Sequence, residues 1–139
     1  MALTTTVEEA AGRVPITVVA LDGELDASNF ERFIDEARGL YDGGARHLLL
    51  DLTGLTFLAS SGLVALHSIV RIMRGEAPPD PESGWDAFHS LGLDVSEGAT
   101  QTDVQLCAPQ PGVARVLQRT GLDRLFVVHE SRAAAIAAF

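Results

Sequence analysis

Lysine is absent from all 139 residues: the ten basic side chains are arginines, set against nineteen carboxylates for a formal net charge of −9. Without lysine there is no phosphate-loop lysine, no Schiff base and no lysine general base. The acidic balance repels phosphate backbones, so nucleic acid is excluded as an expected partner. A single cysteine, Cys107, forbids an internal disulfide and reads as a small core residue. No basic and apolar leader opens the chain, which with the lone thiol gives an expectation of a cytoplasmic protein. No apolar run approaches the ~20 residues of a membrane span, so direct membrane insertion is not expected. Neither G-x-S-x-G, H-E-x-x-H, paired cysteines nor a Gly-rich phosphate loop is present, which leaves no expected catalytic residue, metal or cofactor.

What the chain does contain is alternation. Its length suits one domain, 1–139, able to bury roughly two-thirds of its unfolded surface. After a polar start, Val14 to Asp26 is β-branched and reads as a strand, a turn at Asp22-Gly23 and a short continuation. Ser28 and Glu31 have capping-box spacing, and Phe30, Phe33, Ile34, Ala37, Leu40 and Tyr41 follow on one helical face up to Asp42-Gly43-Gly44. His47 to Leu52 is a short apolar strand, ended by a turn at Thr53-Gly54. Gly62 to Arg74 reads as a largely buried helix.

Gly75 to Gln101 reads as an inserted acidic loop. Between Arg74 and Arg115 lie seven carboxylates and no basic residue. Trp85, Phe88 and Leu91 have the spacing of a helical turn that would pin this insertion to the body. It is either a tolerated surface loop or a partner-specific contact. Beyond it come a strand at Asp103 to Ala108, a helix from Pro111 to a glycine stop at Gly121, a strand at Leu125 to Val128, and a helix Arg132 to Phe139 capped by Ser131 and packed through Ile136 and Phe139. The order predicts an α/β fold, a mainly parallel mixed sheet flanked by helices, with sites at the carboxyl ends of its strands.

One such place is LASSGLVAL, Leu58 to Leu66. Ser60 as a nucleophile would need a base within ~3 Å, and His67 lies about two helical turns, or ~10 Å, further on. Ser60 and Ser61 are more simply read as a helix cap. A helix start with free N–H groups is also a good place for a phosphate, so cap and phosphoacceptor both stay open.

Three segments in order, LDGELDASNFERF, LLLDLTGLTFLASSGLVAL and APQPGVARVLQRTGLDRLFVV, resemble the STAS domain, the fold of bacterial anti-sigma factor antagonists and of sulfate-transporter cytoplasmic tails. With no membrane span, the antagonist version is the expectation. The resemblance implies a non-enzymatic partner switch: the chain binds an anti-sigma factor that is also a serine kinase, phosphorylation ends the binding, and a serine phosphatase resets it. The implied acceptor is Ser60, and the implied docking surface is Asp22, Glu24, Asp26, Ala59, Ser60, Ser61, Gly62 and Leu63. Self-association is retained as a further mode. Where the family signature has Asp before the serine pair, this chain has Ala59. That departure favours the rival reading of a constitutive scaffold, with Ser60 serving only as a cap. A small-ligand or nucleotide-binding domain is the third reading.

Overall fold

A strand that is apolar on both faces needs cover on both, and the His47 to Leu52 run receives it. The computed structural model describes residues 2–75 and 101–139, with the backbone alone at 101 and 102. The strands are β1 (Leu3–Ala11), β2 (Pro15–Leu25), β3 (Leu48–Leu58), β4 (Gln101–Cys107) and β5 (Phe126–His129). They form one sheet in the order β1-β2-β3-β4-β5. β1 runs antiparallel to β2, and the other neighbours are parallel, giving the expected mixed sheet.

The period-2 alternation of β3 divides the core. Leu48, Leu50 and Leu52 pack toward α1 (Phe30–Asp42), α2 (Ser60–Met73), α3 (Pro111–Thr120) and the single turn α4 (Leu122–Leu125). Leu49 points the other way, with Ile16, Val18 and Cys107, toward Ala135 of α5 (Arg132–Ala138). α2 is buried almost all round, as its apolar sequence predicts. Cys107 is fully buried in this second layer, and burial pushes its thiol up to about 12. The inserted acidic loop, with Trp85, Phe88 and Leu91, lies outside the described residues except at its ends.

Several local expectations hold. Pro111 opens α3, Gly121 ends it at φ 78°, and the Ser131 hydroxyl accepts from the Ala134 N–H at 3.1 Å. Ile136 and Phe139 pack against the second layer, half-buried.

Others are corrected. The polar start contains β1, an edge strand whose run LTTTVEEAA carries no apolar alternation to announce it. The capping box does not form, because α1 begins after Asn29 and leaves Ser28 outside the cap position. The Ser28 hydroxyl instead donates to Asp26 Oδ1 at 2.5 Å. Asn29, buried, accepts from the Asp26 N–H at 3.0 Å and donates to the Glu24 carbonyl at 2.8 Å, tying the end of β2 to the start of α1.

Neither Asp22-Gly23 nor Thr53-Gly54 turns the chain: β2 and β3 run on in parallel to Leu25 and Leu58. Turn residues are tolerated there because β3 carries an extra residue at each of two bulges, opposite Ala20/Asp22 and Gly23/Glu24. At the first, Asp51 Oδ1 accepts from the Thr53 N–H at 3.0 Å and the Thr53 hydroxyl at 2.5 Å. Gly54 gives the Asp22 carboxylate room, since a Cβ there would stand 1.9 Å from Asp22 Oδ1.

Candidate functional site

The two bulged strand ends deliver the chain to α2. The Ala59 N–H donates to the Leu25 carbonyl at 3.0 Å, extending the β2–β3 pairing by one residue. Ala59 then takes the cap position with extended backbone, φ −83° and ψ 170°, and contributes no side-chain cap bond. The expectation of a serine cap is thereby corrected: Ser60 is the first helical residue and Ser61 the second. The first intrahelical bond runs from the Leu63 N–H to the Ala59 carbonyl at 3.2 Å. The N–H groups of Ser60, Ser61 and Gly62 therefore lead the helix without intrahelical acceptors, at the positive end of its dipole.

Ser60 is exposed, Ala59 and Ser61 are partly so, and Gly62 and Leu63 lie buried beneath them. Gly62 sets how closely α2 approaches the sheet. A Cβ there would stand 2.6 Å from Leu58 Cδ1 and 3.1 Å from the Leu25 carbonyl. Gly62→Ala is expected to cost about 1 kcal/mol net, the overpacking exceeding the gain in helix propensity. A thermal melt should show a fall of about 3–4 °C; an unchanged or higher melting temperature would mean the contact relaxes freely.

The acidic residues arrive from β2. Leu25 pairs with Leu58 and Glu24 with Phe57, while Asp22 pairs with Gly54 further back. Asp22 is exposed, and Glu24 and Asp26 are partly so. Asp26 is held below the usual carboxylate range by the Ser28 hydroxyl and N–H, so it stays charged while organising the turn into α1. One Glu24 oxygen, Oε2, is buried with no hydrogen-bond partner among the described residues.

Sequence reasoning missed two features of this end. Phe57 is 47% exposed, because the second bulge turns both Thr56 and Phe57 outward. Asp51 is bound by Arg132 of α5 through Nε at 3.0 Å and Nη2 at 2.9 Å, and Arg132 Nη1 reaches Glu8 of β1 at 2.5 Å. Burial raises the Asp51 pKa, but the Thr53 donors and Arg132 outweigh it and hold the carboxyl below its ordinary value. No sequence signal joins Asp51 to a partner 81 positions away.

No described histidine approaches Ser60. His67 is buried two turns along α2, and His47 precedes β3, roughly 35 Å from its far end at strand spacing. His129 stands beside Cys107 and thus near Asp51, roughly 20 Å short of that end. His89 lies outside the described residues. Among the described residues, no cluster of three His, Cys, Asp or Glu side chains is placed to hold a metal ion.

Comparison with known proteins agrees with this fold. Residues 8–76 match the STAS domain family model. Bordetella bronchiseptica BtrV, named as an anti-sigma factor antagonist, is 26% identical over 122 residues, 88% of this chain and 84% of that protein. The fold is shared with an anti-sigma factor antagonist from Mycobacterium paratuberculosis, at TM-score 0.67 and 22% identity over 99% of this chain and 93% of that one. It is also shared with the Bacillus cell fate determinant SpoIIAA in its phosphorylated form, at TM-score 0.59 and 19% identity over 96% of each chain. The signature strand-to-helix segment falls inside the matched residues, so residues 8–76 carry a STAS domain, in a chain whose relatives are named as anti-sigma factor antagonists.

Proposed function

We propose that this chain is a phosphorylation-controlled anti-sigma factor antagonist that binds an anti-sigma factor with serine kinase activity, with Ser60 as acceptor. Asp22, Glu24, Asp26 and the exposed start of α2 form the docking face, with Gly62 and Leu63 setting its shape from beneath. The observation that carries the reading is an exposed serine at the first position of a helix whose leading N–H groups lack intrahelical acceptors. Transfer of the ATP γ-phosphoryl to Ser60 Oγ forms one P–O bond, releases ADP and passes the hydroxyl proton to the kinase. The product adds about −1.5 to −2 charge. The helix dipole tolerates it, so the fold survives. Docking does not, because that charge must be desolvated beside the β2 carboxylates. A serine phosphatase then restores binding.

Ala59 supports the rival reading, a scaffold of the same fold that binds constitutively, since it offers no side-chain oxygen to orient the hydroxyl or a kinase-bound metal–nucleotide. The two readings separate on rate. If the missing carboxylate slows the transfer, Ala59→Asp should raise the phosphorylation rate by at least about tenfold, a barrier change of about 1.4 kcal/mol. The assay is single-turnover transfer from labelled ATP with the partner kinase. No acceleration would show that Ala59 is not what limits the reaction.

A further inference from the structure

The outer edge of β1 is a second surface, built from other residues. In an antiparallel ladder, successive residues aim their N–H and C=O groups alternately to the two sides. The Ala2 carbonyl accepts from the Glu24 N–H and so faces β2, while the Leu3 carbonyl accepts from Arg32 Nη2 of α1 at 2.7 Å. By that alternation Thr4, Thr6, Glu8 and Ala10 face β2, and Thr5, Val7, Glu9 and Ala11 point their backbone groups outward. β1 is nine residues long, pairs with β2 without a bulge, and contains neither proline nor lysine. Among the described residues, the devices that usually blunt an edge are thus few. Val7 is 49% exposed, and beside it an apolar cavity of about 240 Å³ lies between the strand and α1, lined by Val7, Val19, Phe33, Ala37 and Leu40.

We propose that this edge pairs with β1 of a second copy, antiparallel about a two-fold axis through Val7, to give one continuous sheet across the dimer. That register sets Val7 against its own copy and Thr5 against Glu9, making about six hydrogen bonds without using the Leu3 carbonyl that Arg32 occupies. Glu8 then faces Thr6, so no two carboxylates stand directly opposed. The copy's Glu9 lands opposite Thr5, whose hydroxyl donates to Glu36 at 2.8 Å, and Arg32, held at Leu3 and 3.8 Å from Glu36, supplies the positive charge beside these two carboxylates. Shifting the axis to Glu8 would set that residue against itself, which like-charge pairing penalises. The same face of each sheet stays on one side, so the two Val7 side chains meet over the paired apolar cavities. Each chain's charge of −9 opposes association, and salt should strengthen it.

Sedimentation velocity on the full chain, from low to near-millimolar concentration at low and high salt, tests this. Wild type should dimerise reversibly and more tightly at high salt, and Val7→Lys should weaken the dimer by about a hundredfold or more while melting like dilute wild type. A wild type that stays monomeric at both salts overturns the proposal, including the case in which the edge accepts a strand of a different protein. Equal dimerisation by Val7→Lys overturns it as well. Should Val7→Lys fail to fold, cross-linking decides. Val7→Cys should join efficiently through a short bismaleimide, while Ala11→Cys, separated from its copy by roughly 27 Å in this register, should not. The buried Cys107 stays silent. Equal cross-linking at both positions contradicts the register.

Discussion

Ser60→Glu is expected to bind the anti-sigma factor about 30- to 100-fold more weakly than wild type, a loss of about 2–3 kcal/mol. The same variant should melt at an unchanged or slightly higher temperature. The opposite directions follow from the position of the side chain. Ser60 is exposed at the first helical residue, where a carboxylate interacts favourably with the dipole by about 0.3–1 kcal/mol. On the proposed docking face, which also carries Glu24 and Asp26, that carboxylate would have to lose water. Ser60→Ala should bind within about twofold of wild type, because the hydroxyl caps nothing in the free chain and its loss adds no charge. Isothermal titration of the three proteins against the same anti-sigma factor, with melts run in parallel, is the check. Equal affinity for wild type and Ser60→Glu, or a loss of affinity matched by a loss of stability, would remove the electrostatic basis of the switch.

Asp51→Ala carries the largest expected effect on stability, about 2–3 kcal/mol and a fall of about 8 °C in melting temperature. Asp51 is buried with four donor contacts, two from Thr53 and two from Arg132. Its removal loosens the bulge that redirects β3 and releases α5 from the sheet. The figure is set below that of a fully buried pair because the Arg132 side chain is 36% exposed. The pH dependence follows from the lowered pKa of Asp51. Its contribution is present in full above the unfolded carboxylate value of about 4 and disappears as pH falls through the lower folded value. Denaturant titrations should therefore show the wild-type advantage at pH 7 and its shrinkage near pH 3. A gap that does not change with acid would mean that packing, and not the charged pair, holds this corner.

Much of this was readable wherever a residue's role is local. The spacing of Phe33, Ile34 and Ala37, the proline and glycine that bracket α3, and the Ser131 cap each act within a turn or two of chain, and each stands where the pattern put it. Legibility fails where a distant residue changes the local balance. Thr53 and Gly54 look like a turn, but Asp51 and the edge of β2 hold them in a bulged strand. Ser28 has cap spacing, yet Asp26 takes its hydroxyl and Asn29 occupies the cap. β1 is held by nine pairings to β2 and by Arg132, not by an apolar rhythm of its own. The candidate site shows the same division. The serine pair and the acidic run could be located from sequence, whereas the outward turn of Phe57 and the exchange of cap position between Ser60 and Ala59 depend on β2 and β3 ending together.

The proposed role of Ser60 as a reversible charge switch is tested most directly by the intact mass of the chain after incubation with its partner kinase and ATP, followed by mapping of the modified residue. One added phosphate is expected, located on Ser60, with release of the partner as it accumulates. A chain that binds that kinase tightly and gains no phosphate, or gains it elsewhere, would contradict the claim and leave a binding scaffold of STAS fold.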